Sequence, residues 1–394
     1  KVGRKSFILF SSMGISAIFT YFRDVLGPKI KWNGLLESNW LYSKNLQINM
    51  WISPMAAGIG YMIGPLYTGV WFLGAIISYL LIIPLGPTLG IFESVEAATG
   101  FKNSAGMGLM VGTGVGVLIS LIISTVKKAA RKNTNADKAQ EDKSTGNVGR
   151  IIAILTTLAA YVFSVAAGLG PVVSVLMTAG VFLASAIAAT VQGQTGVNPM
   201  EVFGIIVLLI IRIFVDVSSI EAFFIAACVA VACGYAGDLL NDYKTGHVIG
   251  TNPKAQLISQ IVGGITGTVV ASVAMFAIID QFGGVGPGTS LPAAQASMVS
   301  SMVEGVGEPV VFVAAIVAGA ALYLLKVPSM TLGIGLYLPF YMSSIVFLGG
   351  LIRLFVDKFR PSFLEDGNVA ASGLLGGEGV TGVVVAVVRM ITGG

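Results

Sequence analysis

Charged residues are scarce in this chain: 23 Lys and Arg and 19 Asp and Glu among 394 residues, or 11%. A soluble globular chain carries about a quarter, so the shortage excludes a soluble protein with an ordinary solvated surface. Histidine is scarcer still. His247 is the single one, which excludes a histidine-rich metal site. Only two cysteines are present, Cys228 and Cys233. Five residues apart on a helix, they point about 140° away from each other, so neither a disulfide nor a metal pair is expected and both read as small core residues. The sequence has no HExxH, no GxSxG and no GKS or GKT loop, so zinc proteolysis, serine hydrolysis and ATP-driven transport within this chain lack support. A net charge of +4 without a long aromatic–basic surface gives no support to nucleic acid as a partner. No catalytic residue, metal site or cofactor is expected.

What is there is apolar. The mean hydropathy is +0.87, and uncharged runs cover residues 51–92, 103–126, 151–200, 255–279, 281–303 and 327–352. A bilayer-spanning helix needs roughly 20 apolar residues, so the runs at 51–92 and 151–200 each hold at least two passes. The runs lack the ten-residue alternation of a membrane barrel. The fold class is therefore an all-α polytopic membrane protein, with about 11–13 transmembrane helices including broken or re-entrant segments. Membrane helices are expected over 5–23, 66–84, 104–126, 149–168, 171–192, 200–216, 219–237, 254–279, 309–326, 330–351 and 369–391. Pro and Gly punctuate 50–64 and 291–303, which suits broken helices lining a protected cavity.

One stretch is plainly outside the membrane. Lys127 to Arg150 carries seven basic and three acidic residues, and the positive-inside rule places it in the cytoplasm. Three parts follow: 1–126 and 149–394 as membrane regions, joined by a cytoplasmic basic loop at 127–148. Glycines four apart (Gly60/Gly64, Gly108/Gly112/Gly116, Gly263/Gly267 and Gly373/Gly377) put small faces on helices, where backbones approach closely in lipid.

Against this background, "GYAGDLLNDYKTGHVIGTNPKAQLISQIVGG" (Gly234 to Gly264) gathers unusual polarity. Asp238 and Asp242 share a face if the helix persists that far. Lys244 then suits a helix C-terminus, with Gly246 as its expected cap and His247 just beyond. Asn252 and Pro253 open the next helix, on which Gln256 and Gln260 form a polar stripe. A capped, solvated hairpin explains the caps but not why polarity continues one turn into an apolar helix. "GVNPMEVF" and "GTNPKAQL" share the order Gly-x-Asn-Pro. At the first of these, Gln194, Asn198 and Glu201 place polar groups at a helix N-terminus, where N–H groups favour anionic ligand groups. Glu378 has no basic residue within ten positions, and Glu304 and Glu308 flank a glycine pair. Carboxylates in such segments usually face a cavity or partner and mark ion or substrate pathways.

These residues carry a resemblance. Asp238, Asp242, Lys244, Thr245, Gly246, His247, Pro253, Ser259, Gln260 and Gly263 fall in order on the signature of the oligopeptide transporter superfamily, which includes the yellow-stripe-like metal-chelate carriers. Asn241 stands where the plant proteins usually have Gln. "GIGYMIGP", "GIGLYLPFYMSSIVFLGGLIR" and "ASGLLGGEGVTGVV" also look like this superfamily, particularly its prokaryotic branch. The Asn-Pro-Gly and Lys-Ile-Pro-Pro-Arg motifs of the eukaryotic peptide-transporting branch are not seen.

The resemblance implies secondary active uptake: proton-coupled symport of small peptides or of peptide-like metal chelates such as siderophore complexes. The alternatives are a sodium-coupled carrier or channel and, distantly, an intramembrane hydrolase using Asp238. Family members have about sixteen helices, so a chain opening at Lys1 is expected to be N-terminally truncated. Asp238, Asp242, Lys244, His247, Gln256 and Gln260 are expected to form a gate, and Gln194, Asn198 and Glu201 to contact substrate. Glu378 and Glu304 are the candidates for proton coupling. The expected partners are the substrate, protons and the lipid bilayer, with a homo-oligomer possible, and the expected site is the cytoplasmic membrane of a bacterium or archaeon.

Overall fold

The computed structural model describes residues 2–30, 32, 34–38, 40, 46–132, 147–195, 198, 200–285, 293, 296, 300 and 307–392. Helix makes up 86% of it. Among the described residues, eight helices are long and apolar enough to cross a membrane, and Pro54–Ile63, Ala153–Ala166 and Pro309–Leu324 are shorter apolar helices. The chain is a multi-pass integral membrane protein of the all-α class.

The N-terminal half contains α1 (Val2–Tyr21), strands β1 (Leu35–Glu37) and β2 (Asn49–Trp51), α2 (Pro54–Ile63), α3 (Pro65–Ile76), α4 (Ile83–Thr88), α5 (Val95–Lys132), α6 (Asn147–Ala166) and α7 (Pro171–Thr195). There follow α8 (Met200–Phe214), α9 (Ser219–Ile249), α10 (Pro253–Phe282), α11 (Pro309–Leu324), α12 (Ser329–Tyr337), α13 (Phe340–Phe359) and α14 (Leu364–Thr392). Wide π turns at Phe22–Leu26 and Ile77–Ile82 extend α1 and join α3 to α4. β1 and β2 form an antiparallel ladder from Leu35↔Trp51 to Glu37↔Asn49. Residues 127–132 belong to α5 and 147–148 to α6, while 133–146 of the basic stretch lie outside the described residues.

Two compact units emerge: Lys1–Gly112 with Ile265–Ser297 and Gly307–Gly394, and Thr113–Gly264 with Met298–Val306. In the first, glycine faces let helices touch backbone to backbone. A methyl group added at Gly373 would lie 2.5 Å from the Leu9 carbonyl oxygen, and one at Gly377 would lie 2.7 Å from Ser16 Cβ. Ser16 Oγ donates to the Leu374 carbonyl at 2.7 Å, tying the same α1–α14 seam. Gly108 and Gly112 bring α5 onto α11 in the same way. Lipid offers no hydrophobic preference for helix over tail, so close packing of this kind holds such helices together. Phe72 stacks on Phe347 with ring centroids 4.3 Å apart, joining α3 to α13.

The second unit is built on α7, α8 and α9. Val173 and Met177 from α7, Leu208 and Ile211 from α8, and Ala222 and Ile225 from α9 form its core. Ser218 and Glu221 close a capping box at the start of α9, which accounts for Glu221 at that position.

Several expectations change. The helix expected over 330–351 is two, α12 and α13, broken at Leu338 and Pro339. Proline has no N–H to donate and disfavours helix at the preceding residue. The segment 50–64 is strand β2 followed by α2, which ends at Gly64 with φ +87°. Of 291–303, only 293, 296 and 300 fall within the described residues. Among the described residues, a methyl group at Gly263 or Gly267 would meet nothing within 4 Å, unlike one at Gly373 or Gly377.

Candidate functional site

A cluster of buried charge lies inside the first unit. Arg23, in the π turn after α1, and Glu378, in the middle of α14, are each 4% exposed. Arg23 Nη1 donates to Glu378 Oε1 at 2.8 Å and to the Ile52 carbonyl at 3.1 Å. Its Nε and Nη2 donate to the two oxygens of Asp24 at 2.6 and 3.0 Å. The guanidinium also lies over the Trp51 ring, 4.6 Å from the centroid.

The start of α2 completes the surround of Glu378. Ser53 caps that helix, its Oγ accepting from Ala56 N at 3.0 Å. The same hydroxyl lies 3.0 and 2.9 Å from the two carboxylate oxygens of Glu378, and Met55 N donates to Oε2 at 2.7 Å. A helix N-terminus presents unpaired N–H groups and a positive dipole end, which suits a carboxylate. An isolated charge in such an interior is costly, and pairing with satisfied hydrogen bonds is what makes burial tolerable. Farther from the carboxylate, Arg389 donates to the Asp24 carbonyl at 3.1 Å.

A second buried cation sits at the α12–α13 break. Lys102 of α5 is 3% exposed. Its Nζ donates to the carbonyls of Leu336 and Tyr337, both at 3.2 Å, and to Asn103 Oδ1 at 2.9 Å. Ser78 Oγ donates to the same Leu336 carbonyl at 2.9 Å. These carbonyls end α12 and have no further turn to accept from, so a cation at the negative end of the helix satisfies them.

In the second unit the polar stretch 234–264 is an αα hairpin. α9 persists through Asp238 and Asp242 to Ile249, and Gly250 at φ +78° makes the turn. The cap expected at Gly246 is therefore at Gly250. Gly246 is buried in helix against the Gln256 side chain. Asn252 caps α10, its Oδ1 accepting from Lys254 N at 2.9 Å. Gln256 Nε2 donates to the Asp242 carbonyl at 2.5 Å, and Gln260 Nε2 donates to Asp242 Oδ2. The two glutamines thus clasp Asp242 and hold the hairpin closed. Tyr235 adds a donated bond to the Gln260 carbonyl at 3.1 Å. Asp238, Lys244 and His247 are exposed on α9.

The α7–α8 junction differs from its Asn-Pro counterpart. Asn198 Nδ2 donates across to the Cys233 carbonyl of α9 at 2.8 Å. Asn198 Oδ1 and Gln192 Oε1 are buried with no hydrogen-bond partner among the described residues. Both side chains crowd the space a methyl group at Gly237 would fill. Glu201 is half-buried in the first turn of α8. Gln194 lies in the last turn of α7, its side chain outside the described residues, as is the whole of Glu304.

The sequence comparisons extend over the same ground. The profile of the OPT oligopeptide transporter protein family matches residues 4–389. The chain belongs to this family. A protein of Arabidopsis thaliana named as a metal-nicotianamine transporter is 30% identical over 167 residues, covering 37% of this chain and 23% of that protein. A rice protein of the same description is 26% identical over 238 residues, covering 53% of this chain and 35% of its own length. A Haemophilus influenzae protein named as an oligopeptide transporter is 21% identical over 433 residues, covering 88% of this chain and 68% of that protein. The chain thus spans about a quarter of the Arabidopsis relative.

Within this OPT-family chain, Glu378, Asp242, Gln256 and Gln260 stand out in the sequence as candidates, whereas Arg23, Ser53, Lys102 and Gln192, which the structure buries or places in these polar clusters, do not. Arg23 and Lys102 each border an apolar run, where a cation ordinarily reaches water. The available signals were weak: an Arg-Asp pair closing an apolar helix before Gly-Pro, and a lone lysine inside "ATGFKNSAG".

Proposed function

We propose that the protein is a secondary active carrier that moves small peptides or peptide-like metal chelates across the membrane by proton-coupled symport. The observation that carries this reading is the Arg23–Glu378 pair, with both partners 4% exposed amid apolar helices. Intramembrane charges are costly and are commonly kept for ion or substrate pathways. The OPT match and the names of the relatives support the peptide and chelate classes.

Glu378 is the first candidate for taking the coupling proton, with Glu304 the second. The hairpin of Asp238, Asp242, Lys244, His247, Gln256 and Gln260 acts as a gate, with the glutamine clasp on Asp242 as the contact that opens. Gln194, Asn198 and Glu201 contact substrate at the α7–α8 junction. Residues 127–148 serve as a cytoplasmic linker between the membrane regions 1–126 and 149–394, and the membrane is the cytoplasmic one of a prokaryote. An uptake screen of the full-length protein in proteoliposomes, against di- to hexapeptides and iron–siderophore complexes, tests the substrate class. Accumulation of none of them contradicts it.

Sodium coupling is a second reading, favoured by one observation. Gln192 Oε1 and Asn198 Oδ1 are buried acceptors without donors among the described residues, and oxygen ligands of that kind suit a hard cation. A sodium requirement for uptake selects this reading over the first. The distant hydrolase reading rests on Asp238 alone; cleavage of a membrane peptide that is abolished by Asp238→Asn would support it.

A further inference from the structure

The surround of Glu378 is a complete receptor for a carboxylate. It supplies a guanidinium N–H at 2.8 Å, a hydroxyl at 2.9 Å and a backbone N–H at 2.7 Å from the carboxylate oxygens. These donors come from the π turn after α1 and from the start of α2, and the carboxylate they hold comes from α14. A receptor and its occupant on separate helices can part without either helix unfolding. We propose that Arg23, Ser53 and the Met55 N–H form a carboxylate-binding cradle that Glu378 fills at rest, and that a ligand bearing a free carboxylate takes its place.

Three observations support an exchangeable occupant. The donors do not need Glu378 for their own placement: Arg23 is held by Asp24 and the Ile52 carbonyl, and Ser53 by its cap to Ala56 N. Next, a cleft of about 390 Å³ is lined by residues of the same two helices, Ala57 and Gly58 of α2 and Ala371 and Leu374 of α14, with Asp366 as its charged lining residue. Lastly, Tyr61, 6% exposed, also lines that cleft, and its hydroxyl is a buried group without a hydrogen-bond partner among the described residues. A ligand extending from the cradle between these two helices gives that hydroxyl a partner.

The exchange conserves charge. One carboxylate leaves the cradle as the neutral acid, having taken a proton from the aqueous phase, and one enters as the anion. Arg23 therefore keeps the same two counter-charges throughout, Asp24 and the occupant of the cradle, and one proton accompanies each carboxylate bound. The other charges near the pair are Asp24 on the π turn after α1 and Arg389 on α14, which meet each other through the Asp24 carbonyl. At the opposite end of α1 and α14, Arg4–Asp366 and Lys5–Glu365 pair. The charge-conserving exchange rests on the transport reading, but the cradle itself does not.

The test uses the full-length protein and formate, the smallest carboxylate. Glu378→Ala empties the cradle. The expected result is that formate, and not chloride at equal ionic strength, raises the folded yield of E378A in membranes. It also raises the melting temperature of purified E378A by a few degrees, saturably, as binding to the folded state requires. Adding Arg23→Gln abolishes both effects. If E378A gains neither yield nor melting temperature from formate, or gains them equally from chloride or without Arg23, the cradle is overturned. Formate rescue in a protein that takes up no substrate would leave the cradle standing and remove the transport reading. Uptake without formate rescue would do the reverse.

Discussion

At the scale of single residues, Arg23 and Glu378 lie 355 positions apart in sequence and 2.8 Å apart in space. A buried pair is worth less than its broken halves suggest, because removing one partner strands a charge that cannot reach water. Arg23→Met is therefore expected to destabilise the protein by about 3–5 kcal/mol, whereas the double change with Glu378→Met costs less than the sum of the two single ones. Thermal unfolding in detergent reads this directly, and additive losses would contradict it. In the hairpin, Gln260→Leu leaves Asp242 without its side-chain donor and is expected to cost about 1–2 kcal/mol. Glu378 was legible from sequence because an acid so far from any base in an apolar helix calls for a partner. The partner was not legible, since Arg23 sits beside its own Asp24 and borders an apolar run. Only the fold brings it inward.

At the scale of elements, glycine spacing foretold some contacts and not others. Gly373 and Gly377 place α14 against the backbone of α1, but among the described residues a methyl group at the equally regular Gly263 and Gly267 meets nothing within 4 Å. Four-residue spacing aligns small residues on a face without saying what that face meets. Gly377→Val is thus expected to lose about 1–3 kcal/mol or more through overpacking, and Gly263→Val to be tolerated. Comparing their melting temperatures checks both, and equal losses would contradict the assignment. At the hairpin turn, Gly250→Ala forces a side chain into the left-handed region and is expected to cost about 1–2 kcal/mol. Gly246→Ala would fail for a different reason, crowding Gln256. The sequence showed that a helix ends near these glycines. The choice between them depends on Gln256, whose reach back onto α9 is a tertiary fact.

At the scale of the molecule, hydropathy and run length were enough for the all-α, multi-pass class, because lipid leaves a chain few ways to satisfy its backbone. Ordered motifs were enough for the superfamily, and the family profile bears them out over 4–389. Coupling is a different matter, for it depends on which charge moves and which ion accompanies it. The central claim is that protons drive uptake. It is tested most directly in proteoliposomes holding the full-length protein and an accepted peptide or chelate substrate, with an imposed proton gradient. The account predicts that uptake collapses on adding a protonophore and persists when sodium is removed; uptake that survives the protonophore but stops without sodium would contradict it.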